Sequence, residues 1–467
     1  MGNTLDTPVT EKETCTGKVA NSLEGSELVF GVSSCQGWRI NHEDTFTCEP
    51  CLCVQEKPLP GHSLFAVFDG HGGVFAADFA RDNFYNIFCQ QQALLEYSTR
   101  CMVGFPQKHK SRKKKDRRTK GNGESVFSMN GSTVVEDEDG SLRELLKSAL
   151  RATFIEVDRQ MLIKMNQTRE EQQEEQQQAT VSIGTDEEHG DKGQGYDLFD
   201  AGTAAVVVVF TPMYIICANA GDCRSILCKR RGTTYNSIDI VPLSSDHKPD
   251  NPEEERRIVN AGGSVSGGKV DGLLALSRAL GDFSLKDQAS VLDQSMLEME
   301  GECANESRSL GLESNRTDGI AKFRPEKQKV SPVPDCVVIK RDLANDLFLI
   351  AACDGIWDVA TNVECADMIT QIFQDGEPDV GLVSEEVNEH LAIKSYEIYI
   401  RSSIFLMLVL LFVHSQLIDL CLKKGSRDNM TVLVVKFAQQ IIGHGGGVLK
   451  RRTLRKATKA EKTIRHR

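Results

Sequence analysis

The chain has 467 residues, 67 acidic against 55 basic, a formal net charge of −12 and 40% hydrophobic residues. That excess of acid argues against bulk attraction to nucleic acid or anionic membrane, while the apolar fraction suffices for a sizeable core in one large domain or two to three average ones. The fifteen cysteines are odd in number and scattered, and residues 1–7 show neither a basic nor an apolar leader region, so reduced thiols are expected rather than a disulfide framework.

Residues 1–28 are polar and aperiodic and are expected to form a loose arm. Gly2 invites N-acylation, which wants Ser or Thr at position 6; Asp6 stands there, with Thr7 one late. Peripheral membrane association is expected only if Gly2 is myristoylated. Ordered structure begins at Leu28–Val32. Ser63–Phe68 is an apolar run ending in Asp69-Gly70-His71-Gly72-Gly73, the pattern of a buried strand feeding a tight loop. Helix formers follow over 75–97, and apolar residues from Leu145 to Val157 predict an amphipathic helix over 142–163.

Two polar inserts flank that helix. Residues 105–140 carry the basic run 108–118 and then an acidic stretch, and residues 166–198 are rich in Gln and Glu. Neither holds enough apolar surface to order itself. Strands are predicted at Ala204–Phe210, Met213–Cys217, 346–353 and Met430–Phe437, with a third polar insert at 286–322. Pro252-Glu253-Glu254-Glu255 has the acids of a helix start. Residues 439–467 form a basic tail, with nine Lys/Arg and one acid over 448–467. Ile404–Val413 is ten apolar residues long, half of what a bilayer span needs, and lies within an anomalous stretch, 390–416, that parts what would otherwise be one helix. An extra exon or a translated intron would produce that pattern.

The chemistry lies in carboxylates at strand ends. Asp69, Asp354 and Asp428 each adjoin an apolar β-like run, and several acids converging on one point demand cations. Oxygen donors without His or Cys suit Mg²⁺ or Mn²⁺, and the glycines after Asp69 and Asp354 let a backbone carbonyl approach closely. Any one Asp-Gly taken alone is an ordinary turn. Here they stand among seven collinear blocks: 31–44, 65–73, 218–224, 246–256, 276–282, 352–358 and 425–431. In content and order these resemble the metal-dependent serine/threonine protein phosphatases of type 2C, over about residues 29–438 apart from the inserts.

The resemblance implies an α+β fold, a central antiparallel β-sandwich flanked by helices, with a dinuclear site at one end. It implies that Asp69 bridges two cations, Mg²⁺ or Mn²⁺. Asp354 and Asp428 would ligate one of them, and Glu43 and the Gly70 carbonyl would serve the other. Asp222 and Asp358 match positions tied to a weaker third cation. Arg39 would clamp the substrate phosphate, His71 would protonate the leaving alcohol, and the nucleophile would be a water bridging the cations. Partners would be phosphoprotein substrates of a monomeric enzyme in cytoplasm or nucleus, with no nucleic acid. The rival expectation is a phosphatase-like scaffold without turnover, acting through its charged inserts. Arg278 and Asp282 are expected to form a scaffold ion pair. Gly263–Val270 mimics a phosphate-binding loop but lacks the terminal hydroxyl and the helix, so a glycine-rich turn is expected.

Overall fold

Val206 to Val209 point alternately to opposite faces of one strand, and both faces are buried. The computed structural model, which describes residues 4–19, 27–103, 140–182, 198–232, 237–292, 324–376, 380, 382–384, 426–444, 450 and 453, shows this pattern repeated in two packed sheets. The first half of the chain forms strands β1 (Thr4–Lys18), β2 (Leu28–Arg39), β3 (Thr45–Glu49), a small hairpin of β4 (Cys53–Val54) and β5 (Lys57–Pro58), and β6 (Ser63–His71). Helices α1 (Phe75–Gln90), α2 (Gln92–Val103) and α3 (Ser141–Ser182) follow. Then come β7 (Gly202–Phe210), β8 (Tyr214–Ala220), β9 (Arg224–Arg230), β10 (Ile238–Pro242) and helix α4 (Pro252–Asn260). The hairpin β11 (Val265–Ser266) and β12 (Lys269–Val270) turns through Gly267 and Gly268, both at positive φ, as the glycine-rich reading of 263–270 expects. The remainder is β13 (Leu280–Gly281), α5 (Gln288–Val291), β14 (Asp335–Lys340), β15 (Asp346–Ala352), α6 (Asp354–Trp357), α7 (Asn362–Gln374) and β16 (Met430–Phe437).

One sheet runs β1-β2-β16-β15-β9-β10 and the other β14-β8-β7-β6-β3, with β13 paired to β7; every pairing is antiparallel. Period-two alternation sorts the side chains into three layers. Phe65, Val67, Val206, Val208, Leu433 and Val435 meet between the sheets. Leu64, Ala66, Phe68 and Val207 face outward under α1, α2 and α3, where Phe84 and Phe154 pack edge to face. Val432, Val434 and Ile350 face outward under α7. Each fully buried side chain of this size stabilises the fold by about 1.5–3 kcal/mol, which is why these strands read as continuous apolar runs.

Three sequence expectations need correction. Within the expected arm, residues 4–18 are not loose: they form edge strand β1, paired to β2 from Lys18 opposite Val29 up to Thr4 opposite Arg39. Its outer face is solvated, so the alternation of a half-buried strand is weak; Thr and Val supply the β preference, and Gly17 lets the Phe30 ring lie against the backbone. Helix α3 also outruns its predicted end, continuing through the Gln/Glu-rich stretch to Ser182, because Glu, Gln and Ala are good helix formers once a packed turn has nucleated them. The third insert begins late, since α5 occupies 288–291. The stretches 105–139, 183–197, 293–322 and 390–416, and most of the basic tail, lie outside the described residues. Among the described residues no helix is long and apolar enough to cross a membrane.

The fourth correction concerns Arg278. It does not pair with Asp282; it donates to Glu254 of α4 and to Asp335, while Arg257 and Ser277 also donate to Glu254. Residues 276–282 are not helical, so the i,i+4 spacing does not bring 278 and 282 together. Burial alone would raise the Glu254 carboxyl, but the hydrogen bond from Arg278 and the charge of Arg257 outweigh it and hold it at about 2. A depressed carboxylate stabilises the fold above its ordinary value of 4.5, and that contribution is lost as pH falls toward 2. Glu254→Gln is therefore expected to cost about 3 kcal/mol in urea unfolding at pH 7, with the gap to the parent narrowing below about pH 4.5. A gap independent of pH would show that the charge of Glu254 is not what anchors α4.

Candidate active site

Four chain segments deliver polar groups to one end of the sandwich. β6 ends in Asp69, Gly70 and His71; β15 runs into Asp354 at the start of α6; Asp428 and Asn429 immediately precede β16; and β2 ends at Arg39. The antiparallel pairing of β16 with both β2 and β15 aligns these ends. Gly70 is required there, because a Cβ would meet the Glu43 carbonyl at 2.2 Å; Gly355 is required likewise, since its Cβ would lie 1.9 Å from the Asn429 carbonyl.

Asp69, Asp222 and Asp354 converge so that one oxygen of each lies within 4.8 Å of the others. Burial, then the neighbouring charges of Asp354, Asp44, Asp222 and Asp428, push the Asp69 carboxyl well above its ordinary range. Burial, followed by Asp222 and Asp428, does the same to Asp354, and Asp358 is also raised, first by burial. Basic side chains stand at the margins. Lys248 contacts Asp222, and Arg39, its side chain 43% exposed, contacts Asp428. The Asp354 backbone N–H donates to Asp69 Oδ2 at 3.3 Å.

A layer beneath holds these groups in place. Asn429 accepts from the Glu43 backbone N–H at 2.8 Å and donates to the carbonyls of Gln36 and Asn41. Asp44 accepts from the Thr431 hydroxyl at 2.7 Å; burial pushes its carboxyl up to about 7. Cys353 lies near Asp44 and Asp69, but burial raises its thiol well above the ordinary range, so it stays protonated and accepts from the Thr431 N–H at 3.0 Å. The donor set facing the cluster is thus carboxylate and carbonyl oxygen, which fits a hard divalent cation, and the raised carboxyls are those that such a cation would return to the charged state.

His71 has a partner that the sequence reading did not assign to it. Its Nε2 lies 2.7 Å from Asp282 Oδ1. Burial lowers the His71 value, but the Asp282 carboxylate and its hydrogen bond outweigh it, so the imidazole is raised above its ordinary value. With Nε2 engaged and no hydrogen bond to Nδ1 among the described residues, Nδ1 is the ring nitrogen that can hold a transferable proton. Gly202 makes the contact feasible: a Cβ there would sit 2.2 Å from Asp282 Oδ2 and 2.6 Å from His71 Nε2. Asp282 was visible in the 276–282 block, but only the position of Gly202 opposite both His71 and Gly281 shows where it points. Lys248 stands in the 246–256 block, and nothing in its local pattern signals Asp222.

The arrangement is that of a metal-dependent phosphatase, and the family model for protein phosphatase 2C matches residues 28–135 and 125–430. The chain belongs to that family and is a protein serine/threonine phosphatase. It is 29% identical to Protein phosphatase 1A of Homo sapiens over 437 residues, which covers 94% of this chain and 76% of the relative. It is also 29% identical to Protein phosphatase 1B of Rattus norvegicus, with the same coverage. Among solved structures, a serine-threonine phosphatase 2C from Toxoplasma gondii shares the fold at a TM-score of 0.53 and 17% identity, covering 91% of this chain and 99% of that one.

Proposed function

We propose that this phosphatase hydrolyses phosphoserine and phosphothreonine in proteins by a two-cation mechanism, with Mg²⁺ or Mn²⁺ as the ions. The observation that carries the proposal is the convergence of Asp69, Asp222 and Asp354 within 4.8 Å, with the carboxyls of Asp69 and Asp354 raised well above their ordinary range by burial and by neighbouring carboxylates. Asp69, Asp354, Asp428, Glu43 and the Gly70 carbonyl are the groups that would hold two ions, with Asp222 and Asp358 beside them for a weaker third. When bound, the ions supply a water acidified enough to attack phosphorus at neutral pH.

The chain's own residues do the rest. Arg39, at the rim and half exposed, orients the phosphate through the fork of its guanidinium. His71, held at Nε2 by Asp282, carries on Nδ1 the proton that the departing seryl or threonyl oxygen needs. Asn429 and Asp44 fix the backbone at Glu43 and the side chain of Thr431, so the oxygen ligands meet without reorganisation.

Hydrolysis of a generic phosphoserine peptide is expected to need millimolar Mg²⁺ or Mn²⁺ and to vanish in EDTA; full activity in chelator would remove the cations from the mechanism. Replacing Arg39 by Lys keeps the charge and loses the fork, so the apparent KM is expected to rise with kcat less affected. An unchanged KM would take Arg39 out of the phosphate pocket.

A further inference from the structure

Asp282 reaches His71 from a stretch of backbone that would not hold its shape unaided. Gly281 and Asp282 are consecutive residues at positive φ, 82° and 53°, and Asp282 has no glycine's freedom there. Such strain persists only where the surroundings over-determine the backbone. Asp282 N–H donates to the Ala201 carbonyl at 2.9 Å, and the short strand β13 pairs with the first residues of β7. The other support comes from helix α3. Asp158 Oδ1 accepts from the Gly281 N–H at 2.8 Å and from Lys286 Nζ at 2.8 Å, and Lys286 also donates to the Ala279 carbonyl at 2.9 Å. The lysine ammonium thus closes both ends of the 279–286 loop onto α3, with its third side over the Phe283 ring at 5.3 Å.

This pair is costly to bury. The Lys286 and Asp158 side chains are 0% and 1% exposed, and among the described residues Asp158 Oδ2 has no hydrogen-bond partner. A buried ion pair of this kind is weak evidence for net stability, because apolar residues of equal volume often do as well. What it supplies is a single conformation for the loop. We propose that Asp158 and Lys286 are positioning residues for the phosphatase reaction: they hold the 279–286 loop so that Asp282 keeps His71 oriented toward the leaving alcohol. The assignment rests on the reading of His71 as the general acid. Neither residue touches the carboxylate cluster, so cation binding is left alone.

The test compares kcat and KM on a phosphoserine peptide, whose alcohol needs a proton, and on p-nitrophenyl phosphate, whose phenolate leaves without one. Lys286→Met is expected to lower kcat on the peptide about tenfold or more with KM and the Mn²⁺ requirement unchanged, and to lower kcat on the aryl phosphate less than threefold. In the His71→Ala background the same substitution is expected to add no further loss on the peptide, since a positioning residue has nothing left to position. Asp158→Asn, which preserves shape and the bond from Gly281, decides the matter by the same comparison if Lys286→Met does not fold. Equal losses on both substrates, or a loss that adds in the His71→Ala background, would overturn the proposal and leave a purely structural pair. If His71→Ala itself loses both substrates equally, the general-acid reading fails and takes the proposal with it. A selective loss in His71→Ala without one in Lys286→Met overturns the positioning role alone.

Discussion

Asp69→Asn and Asp354→Asn are each expected to abolish Mn²⁺-dependent turnover of a phosphoserine peptide while leaving the cation-free fold as stable as before or more so. The two expectations have one cause. Both carboxyls are raised well above their ordinary range, first by burial and then by neighbouring carboxylates, among them Asp222 and Asp428 for each, so in the absence of cations the site stores repulsion. Removing one charge relieves it, and the melting temperature in EDTA should hold or rise. The same substitution removes one of the carboxylates that would hold the ions, so the stabilisation expected from Mn²⁺ in the parent, about 2.7 kcal/mol at a hundredfold excess over Kd, should be lost along with the upward shift in melting temperature. A variant that melts lower in EDTA and still responds to Mn²⁺ would mean that the residue serves the fold rather than the ions.

Replacing His71 by Ala is expected to spare the response to Mn²⁺ and to lower turnover of the peptide by about 10²–10⁴-fold. The deficit should shrink on p-nitrophenyl phosphate, whose leaving group departs as the anion. The contact with Asp282 at 2.7 Å makes a second expectation specific: Gly202→Ala, whose added methyl collides with both side chains, should reproduce part of the same selective loss. A uniform loss on both substrates for His71→Ala would assign the ring to structure.

Much of the site was legible because strand ends announce themselves. Asp69, Asp354 and Asp428 each border a run of β-branched or aromatic residues whose length a buried strand dictates, and β16 begins and ends where the apolar pattern does. The sandwich followed from the same runs, since strands covered on both faces lack polar alternation. What escaped was long-range and polar. β1 carries no apolar stripe, so nothing local separates it from a loose arm; its order comes from the free edge of β2. The extension of α3 to Ser182 is a helix propagating from a packed start into residues that would not fold alone. Asp282 and Arg278 share one short block yet serve different partners, His71 for one and Glu254 for the other, and the backbone takes left-handed angles at Gly281 and Asp282. Spacing along a sequence cannot show a local backbone conformation that depends on contacts with β7 and with α3.

The pairing of Thr4 with Arg39 has a practical side. Whatever is joined ahead of Thr4 is tethered within a few residues of the proposed phosphate clamp, and a short tether of this kind holds its cargo at an effective concentration in the millimolar range. An affinity tag rich in histidine placed there would present cation-binding groups at the mouth of a cation-dependent site, and an acidic epitope would present a competitor for the guanidinium. Rates measured on such a fusion would report the tag as well as the enzyme. Cleaving it before assay, and comparing KM on either side of the cleavage, gives a direct reading of how far the first strand shares the approach used by substrate.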